Sequence, residues 1–325
     1  MNLYNKYKHK FFYLNYFNNH KKYIYNEDIE LILASGGLRG MYYCGVSYIV
    51  NKYINPKHIK SITGVSAGSL GAVVIACNID QYKCRYYYDF LYKEYKKNKN
   101  SLIDCIINIC NKLFPPNAYQ ICNDRHVRII LSEVSFLGLK KKVIDKFYSN
   151  RHLIDCIAAS SYIPLLYNSG YPLTYKISDN YYIDGGFVDD IPYNINSKFK
   201  QLIINSSNLH YNLKYFITPS DENIDKIILL GVYDMFNFIK TKKNTENIYY
   251  YSIYINESRT YEIFLNKILK YIILFYLLNT ILFMFNIKIN KSIYKLFLFQ
   301  KFIINIIILL IMILLLTLYK IKCYI

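Results

Sequence analysis

Twice between residues 29 and 78 a short apolar run ends in a glycine turn and passes into a segment of helix length. Ile29–Ala34 (IELILA) stops at Gly36-Gly37, and an apolar-faced stretch follows from Gly40 to Tyr53. Ile59–Thr63 stops at Gly64, and the small-residue run Ser66–Asn78 (SAGSLGAVVIACN) follows. Short apolar runs bounded by turns read as buried strands. A strand–turn–helix unit used twice predicts a parallel α/β sheet rather than a bundle or a sandwich. A helix around residues 150–161, a strand at Tyr181–Asp184 and another near Leu202–Asn205 extend the pattern. Residues 80–150 show less order, with the polar stretch KEYKKNKN and a break at Pro115-Pro116, and are expected to form a cap or lid.

Charge narrows the partners. Lys+Arg 40 against Asp+Glu 22 gives a formal +18, which suits an anionic partner, nucleic acid or membrane. Only six of those cations are Arg, and no dense Lys/Arg run marks a binding stripe, so nucleic acid is disfavoured. The chain has 38 Tyr and no Trp, with Lys, Asn and Ile abundant, the set that an AT-rich coding sequence favours. Much of the excess charge reads as that bias.

The eight cysteines are expected to be reduced thiols, because a 325-residue chain with 53% hydrophobic residues has no need of disulfide staples. The N-terminal stretch lacks a signal-peptide core, which suggests a catalytic part facing the cytosol. Cys105, Cys110, Cys122 and His126 loosely imitate zinc spacing. Cys105 and Cys110 lie five apart in an apolar helical run and should point to different faces, so no metal site is assigned. No calcium loop and no other cofactor motif is present.

The last seventy residues differ in kind. Residues 271–287 and 302–319 carry no charge, and their lengths sit at the lower edge for crossing a bilayer, which takes about 20 residues. The second segment lacks the polar stripe of a core helix, so a membrane hairpin, spanning or re-entrant, is expected. Lysines flank and separate the two segments evenly and give no orientation. The expected organisation is an N-terminal extension with little order (1–27), a catalytic domain (28–255) and a membrane-associated hairpin (256–325).

Three motifs carry the chemistry. Gly64-Val65-Ser66-Ala67-Gly68 has the G-x-S-x-G form of a nucleophile elbow, a serine on a sharp turn between strand and helix. The helix that begins there adds its positive end, which favours a developing negative charge. Upstream, Ser35-Gly36-Gly37-Leu38-Arg39-Gly40 also joins a strand to a helix. It lacks the Lys-Ser/Thr ending of a P-loop; its glycines suit an oxyanion hole of backbone N–H groups, or a plain turn. Asp184-Gly185-Gly186 follows a strand, where α/β folds place catalytic carboxylates. Of the six histidines only His210 follows Asp184, in the polar segment SSNLHYN, so Asp184 is the best direct base for Ser66.

GGLRG, GVSAG and DGG in this order resemble the patatin-like phospholipase family over roughly residues 28–205. Ala159-Ser160-Ser161-Tyr162-Ile163-Pro164 resembles the family's Ala-Ser…Pro stretch, and many members have a glycine where Ser35 stands. The resemblance implies a three-layer fold with a mainly parallel central sheet and a lipid acyl hydrolase of phospholipase A or lysophospholipase type. It implies Ser66 as nucleophile, Asp184 as base, and Gly36, Gly37, Arg39 and Gly40 as the oxyanion loop. Gly64, Gly68, Gly185 and Gly186 complete the motifs. No cofactor or metal is expected. The expected partners are a phospholipid or other acyl lipid and a membrane; the sequence carries no signal of oligomeric state. An acyltransferase on the same dyad and a catalytically silent, membrane-anchored lipid binder are the alternatives.

Overall fold

The computed structural model describes residues 25–98, 101–135, 138–164, 174–194, 196–206 and 224–251. The chain divides into two units, Met1–Asn256 and Glu257–Ile325, and every described residue belongs to the first. The segments expected to form the membrane hairpin, and residues 1–24 of the N-terminal extension, lie outside the described residues. Among the described residues no helix is long and apolar enough to cross a membrane.

The chain runs β1 (Ile29–Leu33), α1 (Met41–Tyr53), β2 (Ile59–Val65), α2 (Ala67–Ala76), α3 (Gln81–Asn98), α4 (Leu102–Leu113) and α5 (Ala118–Asp124). It continues through β3 (Val127–Ser135), β4 (Gly138–Ile144), α6 (Asn150–Ser160), β5 (Tyr175–Ile177), β6 (Asn180–Ile183), β7 (Lys200–Ile204), α7 (Ile224–Thr241) and β8 (Ile248–Tyr250). All eight strands join one sheet. Its centre, β7-β1-β2-β3, is parallel, and β4, β5, β6 and β8 are antiparallel additions at its sides. The two strand–turn–helix units read from the sequence are β1–α1 and β2–α2, and they fall where the glycines placed them.

Residues 80–150 are not the irregular lid that their polar stretch suggested. They hold three helices and two strands, and β3 among them is a central strand. KEYKKNKN belongs largely to the end of α3, and Pro115-Pro116 separates α4 from α5. Ser101 caps α4 by accepting from Ile103 N–H at 3.2 Å, and Ser149 caps α6 by accepting from His152 N–H at 3.1 Å. Cys105 and Cys110 are both buried, because α4 is enclosed by α3 on one side and α6 on another. All seven cysteines among the described residues are free thiols. No group of metal-binding side chains is found among the described residues.

One contiguous core joins all seven helices to the sheet face that carries Leu31, Leu33, Ile129, Leu131, Leu202 and Ile204. The opposite face has a small separate cluster of Ile32, Ile203 and Tyr249 with Ile191 and Tyr251 packed against it. The third layer of a three-layer arrangement is not among the described elements. The tyrosine-rich composition has a structural use: Tyr25, Tyr42 and Tyr43 are among the largest fully buried side chains. α1 and α7 pack backbone to backbone: a Cβ added at Gly45 would lie 1.9 Å from Ile228 O and one at Gly231 would lie 2.2 Å from Tyr42 O. The two backbones touch, and Tyr42 donates across the contact to Asp234 Oδ2 at 2.8 Å.

Candidate active site

The site arises from how three strands meet. Ile129 and Ile130 of β3 pair with β2 on one edge and with β4 on the other. Val134 pairs with β6 and, again, with β4. A strand has two edges, so β2 and β6 share the same edge of β3, one after the other. β2 runs parallel to β3 and β6 antiparallel, so their C-terminal ends approach each other. Val65 stands opposite Ile130, and Ile183 stands opposite Ser132. The next residues on the two strands are Ser66 and Asp184, which meet in the gap left on that edge.

Ser66 has φ 53° and ψ −126°, a left-handed backbone that costs a non-glycine residue about 1–3 kcal/mol. The surroundings hold it there. Its N–H donates to Ser160 Oγ at 2.9 Å, and that hydroxyl donates to Ile130 O at 2.7 Å. Its carbonyl accepts from the Ser69 N–H at 2.9 Å and from Ser69 Oγ at 2.6 Å. The glycines of the pentapeptide serve close approach rather than left-handed backbone. A Cβ on Gly64 would lie 2.2 Å from Gly68 O, and one on Gly68 would lie 2.3 Å from Leu33 O. Larger residues would push α2 off β1 and β2.

Asp184 is fixed on three sides. Its N–H donates to Tyr162 O at 2.7 Å, and its carbonyl accepts from Ser132 Oγ at 2.7 Å. Its Oδ1 accepts from the Gly186 N–H at 2.7 Å, which leaves Oδ2 to accept from Ser66 Oγ at 2.6 Å. Ser66 and Asp184 are both buried, at 5% and 4% exposure, so the hydroxyl–carboxylate hydrogen bond is shielded from water. Gly185 seats this turn against β3, since a Cβ there would lie 2.2 Å from Ile130 O. Among the described residues no histidine partners Ser66: His58 bonds Asp28, His126 is exposed, and His152 lies beside Tyr148 and Cys156. His210 is outside the described residues.

The glycine loop lies alongside. Gly37–Gly40 is a single 3-10 turn, entered through Gly37 at φ 55°. A Cβ on Gly40 would lie 2.9 Å from Ala67 Cβ, so the turn abuts the first residue of α2. The Arg39 N–H closes the turn onto Gly36 O at 3.2 Å. This takes Arg39 N–H, and with it the end of the turn, out of the set of open donors. The N–H groups of Gly37 and Leu38, at the start of the turn, are the ones its geometry leaves for another acceptor. The Arg39 side chain is buried, and burial pushes its guanidinium below the usual arginine range. Ser35 ties the loop to the segment after Asp184: its N–H donates to Asp190 O at 3.1 Å and its Oγ to Asp190 Oδ1 at 3.3 Å. Tyr43 supports the loop from below. Its hydroxyl donates to Ala34 O at 2.5 Å and lies 3.2 Å from Ser206 Oγ, and burial pushes its phenol up to about 12.

The sequence reading missed the supporting hydroxyls. Ser160 lies in the Ala159–Pro164 stretch, which by itself assigns it no role, and nothing local marks Ser69 or Ser132; all three are fully buried at 0% exposure. A serine inside an otherwise apolar run is the signal that could have found them, because a buried hydroxyl needs a partner.

A mainly parallel α/β sheet that presents a serine on a strained strand–helix turn, bonded to a buried carboxylate and with no histidine beside it among the described residues, narrows the class of α/β fold to which the chain can belong. Within that class the chain can be placed. The family model for patatin-like phospholipase matches residues 31–196, half of the chain, and the chain belongs to that family. It is in general terms a lipid acyl hydrolase. No curated protein matches the chain. Among solved structures, VipD from Legionella pneumophila is similar at 12% identity and TM-score 0.40, over 70% of this chain and 68% of that one.

Proposed function

We propose that the protein is a serine lipid acyl hydrolase of phospholipase A or lysophospholipase type, acting through Ser66 and Asp184 without a histidine. The observation that carries this reading is the 2.6 Å hydrogen bond from Ser66 Oγ to Asp184 Oδ2, with the other carboxylate oxygen already committed to the Gly186 N–H. The arrangement aims one basic oxygen at one hydroxyl. Ser66 Oγ attacks the ester carbonyl while its proton passes to Asp184 Oδ2. The tetrahedral oxyanion is met by the N–H groups of Gly37 and Leu38 and by the positive end of α2. The proton on Asp184 then goes to the leaving alcohol, and the acyl group remains on Ser66. Water, deprotonated by the same carboxylate, releases the fatty acid and restores the serine.

The uncharged segments 271–287 and 302–319, rich in Ile, Leu and Phe, are proposed to hold the enzyme at a membrane, where its substrate is concentrated. Ser66→Ala tests the chemistry. It should abolish fluorophosphonate labelling and fatty-acid release from phospholipid vesicles. Retained release in that variant overturns the dyad, and a folded wild-type chain whose Ser66 does not label would make the protein a silent lipid binder. A lipid alcohol in the assay distinguishes hydrolysis from acyl transfer by the product formed.

A further inference from the structure

We infer an oxidation site away from the dyad: Cys77 and Cys122 form a thiol pair that peroxide closes into a disulfide. α2 opens beside Ser66 and ends at Ala76, and Cys77 caps it with its N–H donating to Val73 O at 2.9 Å. The pair therefore sits at the other end of the nucleophile's helix, and the inference does not rest on the acyl chemistry. α5 packs against α2 and carries Cys122, which is 0% exposed. The two thiols interact as hydrogen-bond partners, so their sulfurs are neighbours. Cys77 is only half-buried and is the one that solvent reaches.

A cation stands beside this pair. Arg125 follows α5 directly, and its Nε and Nη2 are sealed from solvent with no hydrogen-bond acceptor. A guanidinium stays charged in a protein, and a buried charge calls for an opposite one. The groups that act on it electrostatically are the thiols of Cys77 and Cys122, and the anion they offer is a thiolate. Cys77 takes that form. The hydrogen bond from Cys122, and after it Arg125, hold Cys77 below the usual thiol range, while the same bond and then burial hold Cys122 above it. A thiolate beside a cation, within reach of solvent, is the form that oxidants attack.

The Cys77 sulfur attacks one peroxide oxygen and the O–O bond breaks, leaving a sulfenic acid and a hydroxide that takes up a proton. Cys122 then attacks the Cys77 sulfur: the S–S bond forms, the S–O bond breaks, and the hydroxyl leaves as water with the Cys122 proton. Two thiols are oxidised and one peroxide is reduced to two waters. Cys44 and Cys84 make a second neighbouring pair, but both are buried and the charged group that acts on Cys84 is Asp80, not a cation. They lack the group that favours a thiolate.

The test uses the full-length chain, reduced, freed of reductant and treated with a small excess of hydrogen peroxide. Digestion without reduction should yield a peptide that joins Cys77 to Cys122, while Cys44 and Cys84 are recovered as free thiols. In Cys122→Ser, Cys77 should stop at the sulfenic acid, which dimedone captures. Arg125→Gln should slow both the cross-link and the alkylation of Cys77 by iodoacetamide at about pH 7.5. The loss should be about three- to tenfold, the span open between a thiol of pKa near 8.5 and a full thiolate. Arg125→Lys, which keeps the charge, should retain most of the rate. The wild-type and Cys122→Ser measurements leave Arg125 in place, so they decide the site even where Arg125→Gln does not fold. An absent cross-link, a Cys44–Cys84 bridge formed as fast, or an unchanged rate in folded Arg125→Gln overturns the inference.

Discussion

Ser66 Oγ and Asp184 Oδ2 lie 2.6 Å apart, yet neither residue holds itself in place. The strained backbone of Ser66 depends on Ser160, whose hydroxyl accepts from the Ser66 N–H and donates to Ile130 O. Ser160→Ala leaves a buried donor and a buried acceptor without partners, a cost of about 1–3 kcal/mol. The effect should also reach the chemistry. A nucleophile displaced by a fraction of an ångström should lose about tenfold or more in kcat with KM little changed, a split that steady-state assays on soluble esters would read. A mutant that is less stable but fully active would limit Ser160 to a structural role. Asp184→Asn differs, because the amide keeps the shape and can still accept from Gly186 N–H. It should fold as the wild type does and lose a factor of about 10²–10⁴ in kcat, the contribution of a general base. Only one of these two roles is visible in the sequence. Ser66 and Asp184 announce themselves through local turns, whereas Ser160 lies 94 residues from Ser66 and is tied to it only by the fold.

At the scale of elements, the crossing of α1 and α7 sets how far the helical layer can approach the sheet. Gly45 and Gly231 let the two backbones touch. Gly231→Ala would place a methyl 2.2 Å from Tyr42 O, and backbone cannot step aside as a flexible side chain can. The substitution should cost about 3 kcal/mol, the upper part of the usual overpacking range, and chemical denaturation would measure it. Loss of under half that amount would mean that the helices separate freely. α1 was legible in the sequence because its apolar face follows directly on a glycine turn. β3 was not. Its run VRIILSEVS sits between helices and a Lys-rich strand, and nothing local distinguishes a central strand from an element of a lid. Its place is decided by β2 on one edge and β4 on the other.

At the scale of the molecule, the start of the described chain is fastened to its far end. Tyr25, inside the extension expected to have little order, is 1% exposed. Its hydroxyl lies 2.5 Å from that of Tyr250, and Lys242 Nζ stands 3.6 Å from its ring centre. Glu27 receives Lys200 at 2.6 Å and Lys242 at 3.1 Å, and these two hydrogen bonds, Lys200 first, hold its carboxyl below the usual range. A lowered carboxyl contributes stability above its unfolded value of about 4.3 and loses it as the pH falls through the folded value. The pair is exposed, so the contribution is small, about 0.2–1 kcal/mol. Glu27→Gln should therefore be slightly less stable than wild type at pH 7, with the difference shrinking as the pH falls below the ordinary carboxyl range, by urea denaturation across the series. A difference that does not shrink on acidification would remove the ionic explanation. The +18 charge has a comparable resolution: some lysines are spent on such fastenings, as with Lys141 on Asp189 at 2.6 Å.

The three motifs could be read from the chain alone because each is a local demand. A left-handed turn, a glycine where backbones nearly touch, and an Asp-Gly pair after a strand are all fixed by neighbours in sequence. The antiparallel direction of β6 could not be read that way. Asp184 reaches Ser66 because β2 and β6 divide one edge of β3 and meet end to end, not because a parallel strand delivers it to the top of the sheet. That division depends on hydrogen bonds between segments 47 to 65 residues apart, and only the folded sheet, in which β2 and β6 take successive stretches of one edge of β3, leaves the gap in which the two side chains can meet.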